Sequence, residues 1–278
     1  SLAFTDANGI TGSYNASKGV LSLSGSSSKS LYRAALESVT YNNTSQNPNT
    51  ANRIISWVVN DGSDNSSPFT STLSVAAVND APTGSVSISG TAAEDQTLTA
   101  SNTLADDDGL GTISYQWRRD GSAIDGATDS TYTLTQADVG ETIMVMATYT
   151  DGQGTTESVL SGTTSAVVNV SDTPTGFVSI SGTATEDQTL TASNTLADAD
   201  GLGTISYQWR RDGSAIDDAT GSNYTLTQAD VGSAITVTAS YTDGQGTSES
   251  VTSSATSAVA NVNDTPTGLV SISGTATE

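Results

Sequence analysis

A repeat restricts the fold of this chain more than any other feature. Thr83-Gly84 returns as Thr175-Gly176 and again as Thr267-Gly268, a period of 92 residues. Aligning 83–172 with 175–264 leaves 73 of 90 positions identical. A further copy opens at Pro266 and runs to Glu278. Tandem copies are self-similar structural units, so the fold must be one that can be strung in series. The sequence is therefore expected to divide into a different first module (1–80), two full repeats (81–172 and 173–264) and the first strand of another repeat (265–278). Ser1-Leu2-Ala3-Phe4 reads as a start inside a module. The last segment is expected to be extended, with Val270 and Ile272 on one face as Val86 and Ile88 are in the complete copy.

Within a copy the hydrophobic period is two. Ile113-Ser-Tyr115-Gln-Trp117-Arg alternates apolar and polar, as do Tyr132-Thr-Leu134 and Ile143-Met-Val145-Met-Ala147-Thr-Tyr149. Val86-Ser-Ile88 opens the copy and Val168-Asn-Val170 closes it. Arg119-Asp-Gly-Ser and Asp151-Gly-Gln-Gly are turn signals between strands. Short strands with turns every 8–12 residues predict an all-β chain of antiparallel sandwiches arranged end to end. Trp117 and Trp209 are the expected core centres. In the first module, Leu21–Leu23, Trp57–Val59 and Leu73–Val75 read as strands. There Leu31–Ser38 reads as one short helix with Leu31, Ala34, Ala35 and Ser38 on one face.

Composition removes several functions. The chain has no Cys and no His, so disulfides, Cys/His zinc sites and Ser-His-Asp or Cys-His catalysis are excluded. Thirty acids against eight bases give a net charge of −22, the opposite of a nucleic-acid footprint or an anionic-membrane anchor. No apolar run is long enough to span a bilayer as a helix. Paired carboxylates serve glycoside hydrolysis in other proteins, but here they recur in every copy without a sign of a concave site, so no enzyme activity is expected. Trp57, Trp117 and Trp209 lie in alternating strands where burial, not sugar stacking, is expected. Arg118-Arg119 and Arg210-Arg211 offset local acid. Asn15, Asn42, Asn43 and Asn65 stand in sequon-like contexts and are read as turn residues.

Two resemblances follow from these residues. Tyr115-Gln116-Trp117 before Arg119-Asp120-Gly121, and Ala137-Asp138-Val139-Gly140 before Ile143, resemble the Trp strand and the later corner of an immunoglobulin-like domain. The bridging cysteines are missing, and Thr142 stands where that pattern has Tyr. In the first module, LYRAALESVTYNNTS, NPNTANRIISWVVNDGS and VNDAPTG resemble the cadherin-like modules of bacterial RTX-type giant adhesins, which carry bacterial Ig-like repeats beside them. The resemblance covers nearly the whole chain. It implies a structural extender of a secreted cell-surface adhesin at the bacterial surface. Its partners would be neighbouring repeats of the same chain, with no nucleic acid and no membrane insertion. Two alternatives stand beside it: modules that themselves bind a polysaccharide or a protein, and copies packed laterally as a filament or sheath.

The resemblance also implies Ca²⁺ at the joints, with acids supplied by both neighbours. Each joint has an Asx–Pro pattern: Asn79-Asp80-Ala-Pro82, Ser171-Asp172-Thr-Pro174 and Asn263-Asp264-Thr-Pro266. Proline stiffens the joint, and Asp and Asn offer hard oxygens of the kind calcium requires. Asx turns are the bland alternative. Three further acid sets recur and join the candidate metal ligands. They are Glu94 and Glu186; Asp106 and Asp108, matched by Asp198 and Asp200; and Asp151, matched by Asp243. Asp107 becomes Ala199, which singles out the first and third acids of that loop.

Overall fold

The computed structural model describes residues 1–276 and 278. By contacts the chain falls into two compact units. One holds Ser1–Gly90, Leu98–Tyr132 and Ile143–Thr164; the other holds Thr91–Thr97, Thr133–Thr142 and Ser165–Glu278.

The second unit contains a complete sandwich. A three-stranded antiparallel sheet runs Val178–Ser181, Thr189–Asn194, Asn223–Thr225 in spatial order. A four-stranded sheet runs Ser214–Ala215, Ser206–Arg211, Ile235–Thr242, Ser248–Thr252. Alternation decides which side chains go inward. In Ile235–Thr242, Ile235, Val237, Ala239 and Tyr241 are buried, and Thr236 and Ser240 are less so. They meet Val178, Leu190 and Ala192 of the other sheet around Trp209, which is fully buried. The Trp209 ring stacks on Tyr224 at 5.7 Å, and its Nε1 donates to the Gly221 carbonyl at 2.8 Å. Truncating such a residue costs roughly 3–5 kcal/mol. Glycine permits one close approach that shapes the loop end of this sheet: a Cβ on Gly244 would stand 2.6 Å from the Asp200 carbonyl oxygen.

A one-turn 3-10 helix, Gln228–Asp230, links the two sheets. Its Asp230 is buried. It accepts from the Thr227 amide at 2.8 Å, from Tyr224 at 2.9 Å and from Arg211 at 2.7 Å. Burial raises its pKa, but the Thr227 amide, Arg211 and Tyr224 outweigh burial and hold it below the ordinary carboxylate range. The other 3-10 turn of this unit, Gln136–Asp138, repeats the arrangement. Asp138 Oδ2 accepts from the Thr135 amide at 2.8 Å and from its hydroxyl at 3.0 Å.

The first unit carries the matching strands. Val86–Ser89, Ser114–Arg119, Ile143–Thr150 and Thr156–Leu160 each return 92 residues later. Trp117 is fully buried and its ring lies 5.8 Å from Tyr132. The N-terminal part is thinner. It has three two-stranded pairs: Leu2–Ala3 with Thr40–Tyr41, Ile10–Asn15 with Val20–Gly25, and Arg53–Trp57 with Phe69–Leu73. The helix is Lys29–Glu37, capped by the Ser28 hydroxyl, and its buried contact is Ala35.

Some segments differ from expectation. The strand expected at Trp57–Val59 ends at Trp57. Val58 and Val59 are exposed, because Asn60 and Asp61 spend their side-chain oxygens on the amides of Gly62, Ser63 and Asp64 and turn the chain. The strand expected at Leu73–Val75 lies instead at Phe69–Leu73, where it pairs with Arg53–Trp57. Trp57 is half-buried, with Nε1 donating to Ser71 Oγ at 2.8 Å. Val168–Val170 forms no strand: single parallel bridges at Val167 and Val168 are enough to tie the segment down. Among the described residues, 265–278 contains no strand. Leu269, Val270 and Ile272 are fully exposed there, since no neighbouring strand pairs with them.

Candidate metal centre

The second unit brings three acids together. Single carboxylate oxygens of Glu94, Asp172 and Asp200 all lie within 4.8 Å of one another. Local structure sets each one. Glu94 sits in a tight turn held by its own amide donating to Val168 O at 2.9 Å. Asp95, next to it, adopts a left-handed φ of 61° and donates to Leu134 O at 3.1 Å. Asp172 is fixed by its backbone, whose amide donates to Asp200 Oδ2 at 2.8 Å. Asp200 stands in a loop stapled by Asp198, which accepts from the Asp200 amide at 3.0 Å through Oδ1 and from the Tyr241 hydroxyl through Oδ2. Gly244 N closes the loop onto Asp200 O at 3.0 Å.

The electrostatics are unfavourable without a counter-charge. Glu94 and Asp200 are buried, at 3% and 4% exposure, and Asp172 is half-buried. None of the three is ion-paired to Lys or Arg among the described residues. Burial, then the charges of Asp172 and Asp200, push Glu94 above the ordinary carboxylate range despite the Val170 amide, which favours its charged form. Burial, then Asp200, push Asp172 up as well. Like charges held this close and dry call for a cation or a proton. Ligand oxygens at 2.3–2.6 Å from a calcium ion stand at most about 5 Å apart, so the observed spread fits one ion.

Sequence reasoning missed one residue of the cluster. The terminal amide of Gln136 lies 2.9 and 3.0 Å from the two Glu94 carboxylate oxygens and 3.1 Å from Asp200 Oδ1, and its nitrogen is assigned to that side because every partner there is an acceptor. Gln136 opens the 3-10 turn that Thr135 and Asp138 lock. A side chain leading such a turn was the available signal, but an uncharged amide does not stand out in a search for acids.

The other expected ligands are placed as follows. In the first unit, Asp108 is fully buried. Its Oδ2 accepts from the Asp80 amide at 2.7 Å, and its carbonyl accepts from Asn47 Nδ2 at 2.9 Å; Oδ1 has no hydrogen-bond partner. Asp80 is half-buried and is raised by burial first, then by Asp108, Asp107 and Asp106. Asp106 and Asp198 are scaffold residues: both oxygens of Asp106 are taken by the Asp108 amide and the Tyr149 hydroxyl. Asp151 and Asp243 are buried Asx turns. Each Oδ1 accepts two backbone amides, and each Oδ2 has no partner. Asn79 is exposed and donates to Glu157 at 2.8 Å. Glu186 is buried and accepts from the Val262 amide at 3.1 Å, while Asn263 and Asp264 are exposed. Asp264 is not drawn into any group of three acids among the described residues.

No family model matches the chain, and no curated protein is found similar to it. Among solved structures, one match is the three N-terminal domains of the highly immunogenic outer capsid protein of bacteriophage RB49. It is 20% identical with a TM-score of 0.24, covering 62% of this chain and 58% of that one. Another is a Ca²⁺-stabilised adhesin that helps an Antarctic bacterium reach out and bind ice. It is 15% identical with a TM-score of 0.30, covering 76% of this chain and 57% of that one. The chain thus spans less than two-thirds of either structure.

Proposed function

We propose that this chain is a structural extender of a secreted bacterial cell-surface adhesin, built from modules 1–80, 81–172, 173–264 and the opening of another, and working outside the cell without catalysis. Calcium stiffens its joints. The observation that carries this reading is the convergence of Glu94, Asp172 and Asp200. Glu94 belongs to one repeat copy, Asp172 to the joining segment and Asp200 to the next copy. A cation held by all three resists bending at Asp172, because bending would separate its ligands. Near-identity of the copies favours reach over recognition, since differences such as Ser85/Phe177 and Met144/Thr236 are scattered along the repeat.

Glu94, Asp172 and Asp200 would hold the ion, which would supply charge neutralisation and a rigid link. Asp198 keeps the Asp200 loop in place. Small-angle scattering of the full chain tests the reading. Calcium should lengthen the maximum dimension and narrow the distribution of sizes relative to chelator, and sodium chloride of equal ionic strength should not. Identical profiles in calcium and chelator would remove the stiffened stalk.

A further inference from the structure

We propose that Gln136 is the built-in stand-in for the cation and turns over to become its fourth protein ligand when the cation binds. This rests on the calcium reading above and adds a named residue and a mechanism to it. The end of the amide that meets three carboxylate oxygens, at 2.9, 3.0 and 3.1 Å, is assigned as the nitrogen because only a donor can satisfy them, and that nitrogen carries two protons. Its donors are therefore oversubscribed, and each hydrogen bond answers an acid that has no ion-paired base. The nitrogen and oxygen ends of the amide are nearly the same size. Half a turn about the Cγ–Cδ bond puts Oε1 where the nitrogen stood.

Without a cation that turn is forbidden, because it would aim a carbonyl oxygen at three carboxylate oxygens. With a cation among them it is favourable, because calcium accepts an amide carbonyl oxygen as a ligand beside carboxylates. The same turn aims the NH₂ group at the donors on the far side of the amide, a cost that the ion must offset. Thr135 and Asp138 lock the backbone of the turn, with both Thr135 donors on Asp138 Oδ2. The joint thus has two held states, one pinned by the amide and one by the ion, and the copy that owns Glu94 owns the switch. The corresponding Gln228 donates instead to Asn261 Oδ1 at 3.3 Å, so the side chain reaches acids only where an Asp200-type loop meets it.

The test uses the full chain with its side-chain amides labelled with ¹⁵N, taken from chelator into calcium, beside the variants Gln136→Glu and Gln136→Lys. The Gln136 NH₂ pair should leave its hydrogen-bonded position in step with calcium uptake. Gln136→Glu should bind calcium at least about tenfold more tightly, because affinity follows the number of charged ligands. Gln136→Lys, which brings its own cation, should bind no calcium and should melt higher than wild type in chelator. If wild type binds calcium while the Gln136 signals stay still and Gln136→Glu binds no tighter, the inference is overturned and the calcium site stands. If wild type binds no calcium, the calcium site itself is wrong and the inference goes with it.

Discussion

The joint at Asp80 and the joint at Asp172 receive the same loop from the downstream side and different chemistry from the upstream side. In both, a linker aspartate amide donates to Oδ2 of the loop aspartate, at 2.7 Å onto Asp108 and 2.8 Å onto Asp200. In both, a preceding aspartate and a tyrosine hydroxyl brace the loop. Upstream of Asp80 the partners are neutral. Asn47 donates to the Asp108 carbonyl at 2.9 Å, Gln153 donates to Asn47 Oδ1, and the Gln46 amide stands 3.4 Å from Asp80. Upstream of Asp172 the partner is the buried carboxylate of Glu94 with Gln136 beside it. At the first joint, neutral amides reach the loop's carbonyl and Asp80 while Asp108 Oδ1 keeps no partner; at the second, the loop meets a buried carboxylate, where the proposed cation would sit. Duplication copied the loop; the neighbour decides what it becomes.

The sharpest way to break this contrast is to remove the loop aspartate at each joint. Asp200→Ala should abolish the calcium-dependent rise in melting temperature, which corresponds to about 2.7 kcal/mol at one hundred times the dissociation constant. Asp108→Ala should destabilise the protein in calcium and chelator alike and leave the calcium increment in place. Calorimetry on both variants reads the difference. Equal loss of the increment in both would mean that the two joints are the same.

Asn47→Ala comes next. It takes one hydrogen bond from a partly buried carbonyl and should cost about 1 kcal/mol by denaturant unfolding, the same with and without calcium. A cost confined to calcium would move the cation to the first joint.

The pH dependence separates the joints by sign. Glu94 and Asp172 are raised in the folded chain, chiefly by burial. The stability their protonation lends is fully present below the ordinary carboxylate pKa of about 4 and is lost as pH rises through their higher folded values. In chelator, melting temperature should therefore fall across that window, and Glu94→Gln should flatten the fall. In calcium the slope should reverse, because protons compete with the ion. Asp230 is lowered, so its contribution is lost only as pH falls below the ordinary range and does not overlap this window.

The smallest effect expected is at Asp107, the exposed acid that is Ala199 in the next copy. Asp107→Ala makes the two loops alike and removes one charge that raises Asp80. It should stabilise by no more than a few tenths of a kcal/mol and vanish in high salt. A larger gain that survives salt would show Asp107 straining the loop directly.

How far the sequence alone reached follows from the same residues. Trp117 and Trp209 were legible because strict alternation leaves a large ring one place to go. Glu94, Asp172 and Asp200 were legible singly, as acids at recurring positions, but nothing in their spacing joins residues 94, 172 and 200. That grouping exists because a turn, a linker and a loop from three separate stretches meet. Asn47 and Gln136 were not legible, since neutral amides carry no charge pattern and both act across long sequence separations. The Trp57–Val59 strand was misplaced because apolar character continued past the point where Asn60 and Asp61 had begun to turn the chain.

The most direct test of the account is a calcium titration by calorimetry of heat on the full chain and on Glu94→Gln, at fixed ionic strength. The account predicts a saturable site in the wild-type chain that Glu94→Gln loses, with folding intact by circular dichroism. Undiminished binding in Glu94→Gln, or no binding by the wild-type chain, would contradict it.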